Sequence, residues 1–217
     1  MGTDWSATGT MLQGIGSVAT PIAVAVAAWV GANTFRQWRR QKIAERHLEQ
    51  AELILTAAYK ARRALAQVRA PMTWAYELSA AEETLKADPK WATIAEDRQQ
   101  RLITTQSYMN RLARTKDQQL DLDRLQPIAR ALFGPDLEKA MEDLNHQFWV
   151  VQVDAEAYAD DNGNDQEFTV GLRRNMWSTG SKKYPDPIGA KVDEAIASIE
   201  ETCLPILRLS SPSKPTK

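Results

Sequence analysis

Residues 5–35 read WSATGTMLQGIGSVATPIAVAVAAWVGANTF, and residues 36–42 continue as RQWRRQK. The first stretch contains no Asp, Glu, Lys, Arg or His, whereas the second is basic and carries a tryptophan. A helix of about 20 mainly apolar residues crosses the ~30 Å hydrocarbon core of a bilayer, and residues 11–35 supply 25 residues. The sequence therefore predicts one N-terminal transmembrane helix over residues 11–35.

The residues that follow this span predict its orientation. Five of them form a membrane-interface collar: Arg36, Trp38, Arg39, Arg40 and Lys42. Basic residues near a span concentrate on the cytoplasmic side, and tryptophan favours the interface. We therefore expect a single-pass protein of the inner (cytoplasmic) membrane, with residues 1–10 as a short extracytoplasmic N-terminus and a cytoplasmic C-terminal domain.

Small residues recur every four positions within the predicted span. Ala19, Ala23, Ala27 and Gly31 lie on one face of a helix with 3.6 residues per turn. In lipid, faces of small residues allow two helices to approach closely and associate. This transmembrane packing face predicts a homo-oligomer, or packing against a partner membrane protein.

Composition favours helices in the remainder of the chain. The 217 residues include only 10 Gly and 10 Pro, and β-branched runs are nearly absent after residue 35. We predict an all-α fold in which the transmembrane helix continues into a cytoplasmic antiparallel helical bundle over residues 36–209. Residues 210–217 are rich in Ser, Pro and Lys, and we expect a disordered tail there.

Apolar stripes at helical spacing place the individual helices. We expect the first helix to run to residue 70 with Ile43 on its buried stripe, and a second helix over residues 72–87 with Trp74 and Leu78 inward. Further helices are predicted for residues 89–119, 122–133 and 135–158, and from residue 186 or 187 onward. Residues 160–186 are expected to form an irregular loop.

That irregular loop is a candidate partner or ligand loop, because it combines cations with an aromatic residue. Its possible partner or ligand residues are Arg173, Arg174, Trp177, Lys182 and Lys183. Basic residues around an exposed aromatic side chain suit a membrane surface, a nucleic acid or a protein. The formal net charge of −1 argues against nucleic-acid binding by the molecule as a whole.

Chemistry-bearing motifs are missing from the sequence. We find no Gly-rich phosphate loop, no nucleophile elbow and no Cys-x-x-Cys pair. His47 and His146 lack a second ligand at metal spacing, and the single Cys203 lies on an apolar stripe. We therefore expect no cofactor, no metal and no catalytic residues.

Three functions remain open on these grounds. The first is a membrane-anchored helical bundle that acts by protein–protein interaction or self-assembly at the cytoplasmic membrane face. The second is an oligomerising effector that perturbs or permeabilises the bilayer, and the third is a helical enzyme with an unrecognised site. The bilayer is the expected partner in the first two cases.

Overall fold

The computed structural model describes residues 5–178 and 185–209, and it describes the side chains of residues 28–178 and 185–208. Seven α-helices follow one another in this described part of the chain. In chain order they are α1 Trp5–Val68, α2 Ala75–Lys86, α3 Glu96–Arg114, α4 Lys116–Phe133, α5 Pro135–Asp160, α6 Gln166–Met176 and α7 Pro187–Leu209. A 3₁₀ turn, Trp91–Thr93, lies between α2 and α3, and these described residues contain no strand. The predicted all-α bundle is therefore confirmed.

Local chemistry explains where the central helices begin. Gly134 has a φ of +104°, a conformation that costs glycine little, and Pro135 follows in the first turn of α5, where its missing N–H is no loss. Between α3 and α4 the helix breaks at Thr115, whose Oγ1 donates a hydrogen bond to the Leu112 carbonyl at 2.8 Å. The Gly134–Pro135 junction lets α5 fold back against α4.

Helix α5 is the centre of the bundle, because it packs against α3, α4, α6 and α7. Its apolar stripe is buried almost completely. The buried members are Leu137, Ala140, Met141, Leu144, Phe148, Val151, Ala155 and Tyr158. The steps of three and four that predicted this helix thus correspond to the main core of the protein.

The C-terminal half of α1 joins the same core through small residues. Ala51, Ala58 and Ala61 are fully buried there, beside Ile54 and Leu65. At the rim of this contact Tyr59 donates to Glu200 at 2.6 Å, and Arg62 pairs with Asp193 at 2.7 Å. The buried alanines let α1 lie close to its neighbours, and the polar pairs link its exposed side to α7.

Several sequence predictions of packing were wrong. Residues 160–186 are not irregular throughout, because α6 forms within them. Ile43 is exposed rather than buried. Trp74 and Leu78 are exposed rather than inward, because α2 begins at Ala75 and not at residue 72. The predicted helix over residues 89–119 ends earlier, at Arg114.

The chain divides into two units, residues 1–47 and residues 48–217. Within the described part we find no helix that is both long and apolar enough to cross a membrane. The side chains of residues 11–27, which are most of the predicted span, lie outside that part. The predicted tail, residues 210–217, also lies outside the described residues.

Truncating a side chain at the centre of α5 should leave a cavity that the bundle cannot close. Leu144 is fully buried, so we expect Leu144→Ala to lower the free energy of unfolding by about 2–5 kcal/mol. Val153→Ala on the exposed side of the same helix is the matched control, and we expect a change within about 0.5 kcal/mol. Urea denaturation followed by circular dichroism measures both, and equal effects would contradict this placement of the core.

Candidate functional site

Residues 28–46 of α1 are the most unusual surface in the described part of the chain. Every one of these consecutive residues is exposed, although the segment is helical throughout. Large apolar side chains are among them: Trp29, Val30, Phe35, Trp38 and Ile43. Exposed apolar residues in a continuous group mark a surface that contacts another molecule or a lipid phase. We call residues 28–46 the uncovered segment.

The predicted membrane-interface collar lies within the uncovered segment, and all five of its residues are exposed. The Trp38 ring packs on that of Phe35 with 5.8 Å between the centroids. Lys42 donates to Glu45 at 2.8 Å on the exposed surface, a contact that contributes little to stability. The collar thus combines four cations with one tryptophan, whose ring packs on the preceding Phe35.

The predicted packing face is described only at its last member. Gly31 is exposed, and a Cβ atom built on it would find no atom within 4 Å. The side chains of Ala19, Ala23 and Ala27 lie outside the described residues. A larger side chain at Gly31 therefore has room in the chain itself.

Arg111 is the polar centre of the junction between α1, α2 and α3. Its guanidinium group, 7 % exposed, uses all five N–H donors. Two go to the Glu77 carboxylate at 3.1 and 2.6 Å, and three go to the carbonyls of Val68, Ala70 and Met72 at 2.8 to 3.2 Å. The pair holds the connection between α1 and α2 in one conformation.

The Tyr108 ring lies beside this guanidinium group, with the Arg111 Cζ 5.4 Å from the ring centroid. The ring is fully buried. Burial raises the pKa of the Tyr108 hydroxyl to about 12, against the opposing effect of the Arg111 charge. The hydroxyl is therefore neutral at physiological pH.

Arg69 makes a second buried ion pair, one residue after α1 ends. It binds both carboxylate oxygens of Asp186 at 3.1 and 2.7 Å, and it donates to the carbonyl of Asn175 at 2.8 Å. Asp186 also accepts from the Gly189 N–H at 2.8 Å and so caps α7. One guanidinium group thus connects α1 with the end of α6 and the start of α7.

The predicted partner or ligand loop is only partly described, and its described residues contact the bundle. Arg173 donates to the Tyr158 hydroxyl at 3.2 Å and lies over the rings of Tyr158 and Trp177. Trp177 is half-buried against the core, and the Arg174 carbonyl accepts from Arg69 at 3.3 Å. Lys182 and Lys183 lie outside the described residues. A ligand role for this loop stays a prediction.

The histidines and the cysteine do not come together. His146 is exposed and stacks on Trp149 with 5.1 Å between the ring centroids, and His47 lies on α1. Cys203 is fully buried, and burial raises the pKa of its thiol to about 11, which suppresses the reactive thiolate. Among the described residues no group of three His, Cys, Asp or Glu side chains could hold a metal ion.

Sequence reasoning missed Arg69, Arg111 and Glu77, since charged residues are ordinarily assigned to the surface. One signal was available in the sequence: Arg111 stands between Tyr108 and Leu112 on the stripe that α3 buries. A charged residue inside an apolar stripe indicates a buried pair, but the pattern does not identify the partner.

Comparison with known proteins gives no relative on which to base a function: no family model, no curated protein and no solved structure matches the chain.

The Glu77–Arg111 pair should make the stability of the bundle depend on pH. The Arg111 guanidinium lowers the pKa of the Glu77 carboxyl from its ordinary value of 4.5. The carboxylate therefore stabilises the fold above that ordinary value, and its contribution is lost as the pH falls through the lower folded-state pKa. At pH 7 we expect Glu77→Gln to cost about 3 kcal/mol, because it leaves the buried Arg111 without its counter-charge.

The pH profile of urea denaturation tests this assignment. The difference between the native chain and Glu77→Gln should be constant at neutral pH and should shrink below about pH 4. Glu83→Gln, on the exposed side of α2, serves as the control and should leave the profile unchanged. A pH-independent difference for Glu77→Gln would show that the charge of the pair does not contribute.

Proposed function

We propose that the protein is a single-span membrane protein that acts by protein–protein interaction or self-assembly at the cytoplasmic face of the inner membrane. In this proposal residues 11–35 cross the bilayer and residues 36–209 form the cytoplasmic part. The observation that carries it is the uncovered segment: a stretch of 19 helical residues, 28–46, whose side chains are all exposed.

A single helix whose aromatic side chains are exposed has low stability in water. Most helical stability in proteins comes from packing of an apolar face, and that packing is absent over residues 28–46. Trp29 and Phe35 are 71 % and 62 % exposed, so their apolar surface would remain in contact with solvent. A surrounding lipid phase or a partner helix would remove this surface from water and stabilise the segment.

The order of residues along the uncovered segment supports lipid as the surrounding phase. The apolar residues through Phe35 come first, and the collar cations, from Arg36 to Lys42, follow. Each cation near an anionic membrane surface contributes about 1 kcal/mol of attraction, and tryptophan favours the same depth. The uncharged run of residues 5–35 supplies the length that a crossing helix needs.

The small-residue face supports self-association within the membrane. Gly31 is exposed and has empty space around it, which suits close approach of a second helix. A copy of the same chain carries the same face, so the simplest partner is a second copy. We propose a homo-oligomer joined along Ala19, Ala23, Ala27 and Gly31.

Placing charge in the middle of residues 11–35 should prevent membrane insertion. One Asp at the centre of a span costs about 2.5 to 3.5 kcal/mol, so we expect Ala23→Asp to reduce the membrane-integrated fraction and Ala23→Asp with Val24→Asp to abolish it. The measurement is the share of the full chain that stays in the membrane pellet after alkaline carbonate extraction.

Ala113→Asp is the matched control, because Ala113 is an exposed position on α3. It should leave the extracted fraction unchanged. A native chain that carbonate removes from the membrane, or double-Asp and control variants that behave alike, would contradict the proposed span.

Enlarging Gly31 should weaken assembly without disturbing the single chain. Since a Cβ atom at Gly31 meets nothing within 4 Å, Gly31→Leu has room in the monomer. We expect the detergent-solubilised full chain to sediment as an oligomer, and Gly31→Leu to weaken that oligomer by about tenfold or more. Ala32→Leu, one position along the same exposed helix, is the control and should assemble normally. A native chain that sediments as a monomer would exclude the proposed self-assembly.

A further inference from the structure

A cavity of about 570 Å³ opens between the C-terminal part of α1, the start of α2 and the junction of α3 with α4. Its size is within the range of small-molecule sites in proteins. Its lining includes cations, exposed aromatic rings, polar side chains, the Glu77–Arg111 pair and small or apolar residues. This cavity lies within residues 48–217 and includes none of the residues of the predicted ligand loop.

Three cations around the cavity lack a dedicated counter-charge. Lys60 and Arg63 are exposed on α1, and among the described residues neither forms an ion pair. Arg114 approaches only Glu77, at 3.8 Å, and that carboxylate already makes two shorter bonds to Arg111. Three cations thus face one cavity, where their mutual repulsion is unfavourable without an anion.

Three other arginines of the bundle do have a carboxylate partner. Arg62 pairs with Asp193 at 2.7 Å, Arg101 with Asp97 at 3.1 Å, and Arg130 with Glu138 at 2.8 Å. Arg62 is the immediate neighbour of Arg63 on the same helix. Lys60 and Arg63 thus differ from Arg62, which has a carboxylate partner, in a molecule whose formal net charge is −1.

Exposed aromatic side chains also line the cavity. Trp74 and Tyr76 are 57 % and 63 % exposed, and Met72 beside them is also exposed. The Arg111 bonds to the Met72 carbonyl and to Glu77 hold the backbone on both sides of Trp74 in place. A planar ring that stacks on these side chains would remove apolar surface from water, and the loss of conformational entropy would be small because the backbone is already held in place.

The cavity lining also includes a hydrogen-bond acceptor that has no donor. Gln118 lines the cavity, and its Oε1 is shielded from solvent without a hydrogen-bond partner. Thr115 also lines the cavity, but its hydroxyl already donates to the Leu112 carbonyl and accepts from the Gln119 side-chain amide at 3.4 Å, so Gln118 is the acceptor that lacks a donor. Buried acceptors without donors are unfavourable, and a ligand that carries N–H or O–H groups would satisfy them.

We propose that this cavity binds a ring-bearing organic phosphate with the chemistry of a nucleoside diphosphate. Its phosphates pair with Lys60, Arg63 and Arg114, and its ring stacks on Trp74 and Tyr76. A terminal phosphate carries about −1.5 to −2 charge near pH 7, so a diphosphate balances three cations. Guanidinium groups suit phosphate because they donate two parallel hydrogen bonds. The inference does not depend on where in the cell the chain resides.

Isothermal titration of the detergent-solubilised full chain with ADP, pyrophosphate and adenosine tests the two halves of the site separately. We expect ADP to bind with a dissociation constant below about 1 mM, and pyrophosphate and adenosine each to bind at least about tenfold more weakly. ADP that fails to bind at millimolar concentration, or that binds no better than adenosine, would overturn the proposal.

Variants then assign the contacts to residues. The double substitution Lys60→Gln with Arg63→Gln should weaken ADP and pyrophosphate by about tenfold or more. Trp74→Ala should weaken ADP but leave pyrophosphate unchanged, because only the ring is affected. These three residues are exposed, and circular dichroism checks that each variant keeps the native helix content.

Arg62→Gln is the matched control, because Arg62 carries the same charge on the same helix but pairs with Asp193 outside the cavity. It should bind all three probes as the native chain does. If Arg62→Gln and Arg63→Gln weaken ADP equally, the binding is a general charge effect and the proposed site is wrong. If Trp74→Ala leaves ADP binding intact, the proposed ring contact is wrong.

Discussion

The uncovered segment exposes large apolar side chains, and contact between apolar surface and water is unfavourable. Helix α1 satisfies its own backbone hydrogen bonds, but over residues 28–46 none of its side chains is buried by the chain. Trp29, Phe35 and Trp38 would remain in water if nothing else covered them. In the proposed function a second phase or a second molecule covers this helix, and the adjacent uncharged run is the reason for proposing lipid.

The other end of α1 is held by a different kind of interaction. Arg111 and Arg69 each use a buried guanidinium group to bind a carboxylate and several backbone carbonyls. These bonds order the connection to α2 and the start of α7, where the backbone would otherwise be unpaired. The Glu77–Arg111 pair also lines the cavity of the proposed phosphate site, together with the exposed Trp74 and Tyr76.

The helices with long regular stripes could be predicted from sequence, because burial on one face imposes a period that the residues display. Helix α5 was expected over residues 135–158 and is found at Pro135–Asp160, and α7 begins at Pro187 as expected. Helix α6 was not predicted, since it is short and buries only Leu172 and Met176, one turn apart. Such a pair does not establish a period.

The residues that line the cavity could not be predicted from sequence for two physical reasons. The apolar character of Trp74 predicts an inward position on a helix. In the structure Trp74 instead precedes α2 as its N-cap residue. Lys60 and Arg63 have the spacing of an ordinary solvated helix face. Only tertiary structure shows that Arg114 and Gln118 lie against the same space, because they are about 50 residues further along the chain.

Amide hydrogen exchange of the full chain in lipid nanodiscs tests the central claim most directly. A crossing helix removes its backbone from water, so residues 11–35 should stay protected far longer than residues 36–46, which share the same helix but lie beyond the bilayer core. Rapid exchange of residues 11–35 in the nanodisc, at the rate of residues 36–46, would contradict a membrane-spanning helix.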